Sequence, residues 1–391
     1  MKKKRQVDKY YTHFDLKKKL ARYEHKVKDP RFVATHGFFP FIHFQIKHKK
    51  YTLNHQSGKK VVVPKIRDIK YAAHVDRLIY QHYGDEVNKL YNKAAKKYGI
   101  NRVATAYRNN FTGKSNIHFA KEVFEFITEQ ESAYIFIGDF SNFFDNLEHA
   151  YLKERLKDVL NVKSLSVDHY AVYKNVTKYS YMRLTDIAKF KKTTMKKLKK
   201  TKEQRYFTTQ DFQMAKQRYL LKNEETFGIP QGSSISSVYS NVYMLNFDRE
   251  INGYVTARKG MYRRYCDDFI IVVPGSSEGH YNFILKKTRE IPKLDLQPAK
   301  TEQFFYDSQS EECIQALNKP QNHINYLGFY FDGKLVKIRD KSLFKYYSRA
   351  YKKAKVVLRE EDKQKRKIIQ RKLYNLYTYL GDNLKKKERE G

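Results

Sequence analysis

The chain has 391 residues, 41% hydrophobic and 15% aromatic, which supplies the core of two or three structural units and excludes a disordered polymer despite 31% charged residues. Lys and Arg number 79 against 42 Asp and Glu, and the resulting charge of +37 repels itself unless a polyanion neutralises it, so nucleic acid is the expected partner. Two cysteines, Cys266 and Cys313, exclude a disulfide framework and a Cys-based zinc site, no run of 18 apolar residues offers a membrane span, and "MKKKRQVDKYYTHF" has no apolar segment of a secretory signal behind its basic residues; a reducing, cytoplasmic setting without membrane is expected.

Residues 1–60 read as a basic N-terminal extension, in which "GFFPFIHFQI" (37–46) is buried or strand-like. The stretch 71–100 predicts a helix with Ala72, Val75, Leu78, Ile79 and Tyr83 on one face. "KSNIHFAKEVFEFITE" from Lys114 predicts another, with Ile117, Ala120, Phe124 and Ile127 in register. "AYIFIGDF" (133–140) is a short apolar run of strand formers, hence a buried strand with Asp139 at its exit. The Lys-dense segment 186–205 reads as a solvated helical insertion in preference to a phosphate contact. In "GIPQGSSISSVYSNVYM" (228–244), Gly228, Pro230 and Gly232 make a constrained loop, and a helix follows with Ser233, Ser236, Ser237 and Ser240 on one side. Such small side chains let a nucleotide or a template base lie against the backbone. Towards the C-terminus, Phe344, Tyr347, Tyr351, Ala354 and Leu358 share one helical face; Ile369, Leu373, Leu376 and Leu380 share another, with Gly381 suited to a C-cap.

The chemistry is concentrated in "RRYCDDFIIVV" (263–273). Strand formers flank Asp267 and Asp268, which predicts a hairpin with two carboxylates at its tip. An ordinary acidic turn is the plainer reading, since Asp favours turns. A third carboxylate at another strand exit, Asp139, tips the balance. Carboxylates gathered in this way hold hard divalent cations, and a cation pair supports in-line phosphoryl transfer.

Taken in order, these pieces resemble the palm motifs of reverse transcriptases. "DFSNFFDNLEH" (139–149) resembles motif A of the bacterial branch, "GIPQGSSISSVYSN" motif B, "YCDD" the Tyr-x-Asp-Asp box, "LDLQPAKTEQ" (294–303) motif D, and "INYLGFYFDG" (324–333) the primer grip. "VDRLIYQ" (75–81) and "TAYRNNFTGKSNIHFA" (105–120) are similar to the fingers motifs. The resemblance spans residues 60–335. It implies an α+β right-hand polymerase: fingers at 61–132, a palm of antiparallel sheet and helices at 133–335 and a short basic helical thumb at 336–391.

By the same resemblance, Asp139, Asp267 and Asp268 are the catalytic, metal-holding residues. Two Mg²⁺ are the expected cofactors, with Mn²⁺ as a substitute. Arg108 contacts the triphosphate, Phe144 is the steric gate against ribose, Gln231 and Gly232 pack on the incoming nucleotide, Tyr265 lies along the primer end, and Lys300 approaches the leaving pyrophosphate. Tyr326, Leu327 and Gly328 form the primer grip. Cys266 departs modestly from the Ala, Met or Val of many relatives. Neither an RNase H-like acidic cluster nor an endonuclease module is expected. The segment around Arg108 and the short thumb resemble the stand-alone bacterial reverse transcriptases of antiviral defence, including the abortive-infection type. The expected partners are an RNA template (a noncoding RNA), the DNA product, dNTPs, and a second polymerase subunit or further copies of the chain. The alternatives are a retron-type enzyme, a template-independent or tyrosine-primed DNA polymerase, and a non-catalytic RNA-binding protein on the same fold.

Overall fold

The computed structural model describes residues 11–17, 20–53, 60–201, 203–275, 279–316 and 322–377. The expected positions Leu380 and Gly381, and the start of the N-terminal extension, lie outside the described residues. Two compact units divide the chain: Met1–Lys114 with Ala133–Gln303, and Ser115–Ser132 with Phe304–Gly391. The helix expected from Lys114 therefore groups with the C-terminal part of the chain.

The first unit contains β1 (Phe41–Leu53), β2 (Lys60–Tyr71), β3 (Ser132–Asp139, from Ala133 onward), β4 (Ser180–Arg183), β5 (Leu221–Lys222), β6 (Met261–Tyr265) and β7 (Asp268–Pro274). One sheet has the order β2–β1–β4–β5. Its long hairpin pairs Ile42 with Tyr71 and ends on Leu53 with Lys60, so β1 runs well beyond the apolar stretch that announces it. The other sheet contains β6–β7–β3, all antiparallel.

β3 is buried from Ala133 to Asp139, as a continuous apolar run requires when both strand faces are covered. Its register with β7 runs from Ala133 opposite Pro274 to Asp139 opposite Asp268. Gly138 makes that pairing possible: a Cβ there would lie 2.3 Å from the Phe269 ring.

The helix His74–Lys97 buries Val75, Leu78, Ile79 and Tyr83, and Ala72 just before it is buried too, as the periodicity predicts. It packs on the helix Ser234–Tyr243. The Lys-dense segment is not one solvated helix. It breaks into Leu184–Phe190 and Met195–Lys200, and its Ile187, Ala188 and Leu198 enter a core cluster with Phe14, Met182, Tyr206 and Phe207.

The second unit holds the helix Asn116–Thr128, β8 (Glu302–Asp307, from Phe304 onward), β9 (Glu312–Gln315), β10 (Ile324–Tyr326), β11 (Phe329–Phe331), β12 (Val336–Ile338), and the helices Asp340–Arg359 and Lys363–Tyr377. Ala120, Phe124 and Ile127 are buried and Phe124 stacks on Phe331, whereas Ile117 faces solvent. The apolar face expected in Asp340–Arg359 is uncovered among the described residues. Phe344, Tyr347, Tyr351 and Leu358 are all exposed, and Val357 is the buried residue of that helix.

Candidate active site

The expected β6–β7 hairpin forms, but its turn is shifted by one residue from the Asp-Asp pair: Tyr265 stands opposite Asp268, Cys266 and Asp267 make the turn, and Asp268 is the first residue of β7. Cys266 takes φ +64°, the left-handed value that the first position of a tight hairpin turn demands. It is a strained choice for a side chain that is not glycine, and such strain collects at functional sites.

The tip is held from below. Arg264 is fully buried and donates from Nε and Nη2 to Asp248, at 2.8 and 2.6 Å, while Nη1 donates to the Cys266 carbonyl at 2.9 Å. Its backbone joins residues 103–105, with Thr105 N donating to Arg264 O at 2.9 Å. Sequence reasoning missed this anchor. Its one visible signal is a pair of arginines, Arg263 and Arg264, in a strand otherwise made of Met and Tyr.

The three aspartates meet at this end of the sheet. Asp139 is 4% exposed, and the cross-strand register sets it directly opposite Asp268. Phe140 N donates to Asp267 O at 3.3 Å, which ties the exit of β3 to the turn. The Asp268 carboxyl is pushed up to about 8, by desolvation first, then by a hydrogen bond with Asp139 and the charges of Asp267 and Asp139, against the pull of Lys300. Because Asp268 itself reaches solvent, the crowding of carboxylates is the firmer cause. Lys300 Nζ donates to Asp139 Oδ1 at 2.6 Å. Its segment is pinned there by the backbone, with Gln297 N donating to Asp139 O at 2.8 Å.

Lys300 thus supplies the positive charge that this cluster lacks. Asp267 stands next to the Cys266 thiol, whose pKa is pushed up by burial first and by the Asp267 charge second. Among the described residues, no three His, Cys, Asp or Glu side chains are gathered closely enough to hold an ion as they stand. The expected three-carboxylate set is therefore adjacent but not assembled. The donor chemistry still fits a hard divalent cation: all-oxygen ligands, mutual repulsion, and a lysine compensating one of them.

A cavity of about 630 Å³ opens in the same unit, with Phe144, Gln231, Gly232, Arg77, Tyr107 and Ser233 among its walls. Motif A divides its two phenylalanines. Phe143 is core, and Phe144 stands edge-on to it, 5.6 Å between ring centres, half-buried at the cavity. Ile229 N donates to Phe144 O at 2.9 Å, fastening this turn to the Gly-rich loop. Gly232 takes φ +119°, and a Cβ there would lie 2.7 Å from Lys70 O. Of the four serines, Ser233, Ser236 and Ser237 reach the cavity, while Ser240 is buried and donates to Ser237 O.

Arg108 does not join them. It is 9% exposed, lies over Tyr91 and Phe111, and its guanidinium is used up by Asn92, by Asn101 at 2.8 Å and by Ala104 O at 3.1 Å. The arginine that does line the cavity is Arg77, whose Nε is buried with no hydrogen-bond partner among the described residues. Tyr107 was also missed. At φ +59°, it lines the cavity, and its hydroxyl pKa is pushed up by burial first and then by the neighbouring Cys266 and Asp267, which sets this cavity wall beside the hairpin tip. Tyr265 ends β6 opposite Asp268 and is half-buried.

The expected primer grip lies in the second unit. Leu327 and Gly328, at φ +48° and +97°, form the two-residue turn between β10 and β11. Tyr326 is 2% exposed, so its ring is a core element and not a contact surface.

The profile of the family described as "Reverse transcriptase (RNA-dependent DNA polymerase)" matches residues 79–331, well over half of the chain. No curated protein matches by sequence. Among solved structures, truncated apo telomerase from Candida tropicalis is similar at 12% identity and TM-score 0.45, over 82% of this chain and 58% of that one. Telomerase from Candida albicans, in complex with a fragment of telomeric RNA, is similar at 12% identity and TM-score 0.44, over 82% of this chain and 48% of that one. The chain therefore spans about half the length of those telomerases. With the family profile running from the helix His74–Lys97 through the Gly-rich loop and the Asp-Asp hairpin to β11, the chain belongs to the reverse transcriptase family.

Proposed function

We propose that this protein is an RNA-directed DNA polymerase that joins deoxynucleotides at Asp139, Asp267 and Asp268. The observation that carries the reading is the register of Asp139 opposite Asp268 at neighbouring strand ends, with Asp267 in the turn between β6 and β7. Two Mg²⁺, or Mn²⁺ in their place, held by these carboxylates would stabilise the charge that develops in phosphoryl transfer. The chain's own groups do the rest. Phe144 and the backbone at Gln231 and Gly232 form the wall against the sugar and base of the incoming nucleotide. Arg77, which lines that cavity, replaces Arg108 as the group for the triphosphate. Lys300, already at Asp139, is placed to donate to the departing pyrophosphate. Tyr265 lies beside the primer end, and the Leu327–Gly328 turn supplies the primer grip.

RNA, a dedicated noncoding RNA, is the proposed template, bound through the net charge of +37. Bacterial antiviral defence in the cytoplasm is the proposed setting. It is supported by the "AYRNNFTGKSNIHFA" resemblance and the basic C-terminal helices. Purified protein given an RNA template, a primer and dNTPs should extend the primer with Mg²⁺ and stop when a chelator is added. Extension that persists without the RNA strand, or none under any template, overturns the reading.

A further inference from the structure

A second cavity, of about 620 Å³, lies on one face of the β2–β1–β4 sheet and shares no lining residue with the cavity at Phe144. The register explains its composition. His43 of β1 stands opposite Lys70 of β2 and opposite Arg183 of β4, so three basic side chains cross the three strands in one row. The next row pairs Gln45 with Asp68, and Asp68 Oδ1 already accepts from His43 Nε2 at 2.6 Å and from Gln45 at 3.2 Å. Lys47 and Arg183 are exposed at the rim. Counting Lys47, Lys70 and Arg183 against Asp68, the lining carries an excess of two positive charges before His43 is considered.

Lys70 makes this more than a basic patch. The residue is 7% exposed, and its ammonium has no hydrogen bond or ion pair among the described residues. Its nearest company is the rings of Tyr179 and Tyr181, 5.2 and 5.6 Å from Nζ to their centres. Burial holds its pKa below the ordinary lysine value, while the charges of Asp145 and Asp68 oppose that shift from beyond ion-pair distance. Two tyrosine faces compensate a largely desolvated ammonium only in part, which leaves it free to take an acceptor from the cavity. Its backbone is fixed as well, since Lys70 N donates to Gln231 O at 2.8 Å. A rigid, nearly buried ammonium at the floor of an open basic cavity, walled by Tyr181, is complementary to a phosphate attached to a planar base.

We propose that this cavity is a second phosphate site, which takes the phosphate of a nucleotide, free or within a strand, with Lys70 as its central donor. The inference does not rest on the polymerase reading, because none of the carboxylates at Asp139 and Asp268 lines the cavity.

The test is equilibrium binding to the full chain in chelator, which silences metal-dependent nucleotide binding, with inorganic phosphate, dATP and a short single-stranded RNA as separate probes. Lys70→Met is compared with Lys96→Met, which removes the same charge from an exposed position. Lys70→Met should weaken at least one probe about tenfold or more, as the loss of a charge-assisted hydrogen bond does, and Lys96→Met by less than about twofold. The unliganded Lys70→Met protein should melt within a few degrees of wild type, because relief of the ammonium's desolvation is offset by the lost attraction to Asp145 and Asp68. Loss of the dATP effect alone assigns the site to free nucleotides; loss of the RNA effect assigns it to a strand. If Lys70→Met does not fold, Arg183→Gln in the same row should weaken the same probe by about fivefold. Binding of all three probes that is unchanged in the folded variant, or no binding by wild type, overturns the proposal.

Discussion

Breaking the Arg264–Asp248 pair should cost the fold and the hairpin tip at once. Both side chains are 0% exposed, and the guanidinium makes two bonds to Asp248, one to Cys266 O and one to Asn241 Oδ1 at 3.3 Å. Asp248→Asn keeps the shape but leaves the buried guanidinium uncompensated. Arg264→Met leaves the Asp248 carboxylate with Tyr262 OH, at 2.9 Å, as its remaining side-chain donor. Removing one partner of a fully buried pair costs about 3–5 kcal/mol. For a unit of this size that corresponds to a fall in melting temperature on the order of 5–15 °C. Replacing both, Arg264→Met with Asp248→Leu, should recover most of the stability, because apolar groups of similar volume are tolerated at such sites. It should not recover synthesis. The Cys266 carbonyl loses its donor, the carboxylates at the tip lose their fixed placement, and misplacement of that kind costs about tenfold to a hundredfold in rate. Thermal unfolding and single-turnover nucleotide incorporation on the two single variants and the double variant separate these effects. Single variants that melt within about 1 °C of wild type, or a double variant with full activity, would refute the anchoring argument.

Phe144→Ala should raise ribonucleotide use relative to deoxynucleotide by about tenfold to a hundredfold, read as the ratio of kcat/KM values; an unchanged ratio in a folded variant removes the gate assignment. Arg77→Gln should raise KM for dNTPs about tenfold with little change in melting temperature, whereas Arg108→Gln should lower the melting temperature and leave KM near wild type. The opposite pattern would restore Arg108 to the nucleotide site. RNA affinity should fall about a thousandfold or more between low and physiological salt if six or more phosphates are neutralised; a flat salt profile contradicts electrostatic binding.

The parts of the site that were legible in the sequence are those set by local pattern. Two runs of strand formers around Asp267 and Asp268 fix a hairpin, and a buried run ending on Asp139 fixes a strand exit, although local pattern missed by one residue where the turn falls, with Cys266 in it and Asp268 on β7. The same holds for the helix His74–Lys97 and for the α+β class. What was not legible depends on partners far along the chain. Arg108 reads as a free basic residue until Asn92 and Asn101 are seen around it. Arg264 reads as a strand surface residue until Asp248, on another element, meets it in the core. The open face of Asp340–Arg359 shows the limit of helical periodicity, which marks an apolar stripe but not whether anything covers it. Likewise, nothing in the local pattern of "KKTTMKKLKK" shows that Leu198 sits in a core with Phe14 and Phe207.

The central claim is that the aspartates at the strand ends carry metal-dependent DNA synthesis. Single-turnover extension of a primer on an RNA template should be measured for wild type and Asp267→Asn across a Mg²⁺ titration, with melting temperatures recorded in parallel. The account predicts a folded variant whose maximal rate is lower by about a thousandfold or more and is not restored by added Mg²⁺; a folded Asp267→Asn protein within about tenfold of the wild-type rate would contradict it.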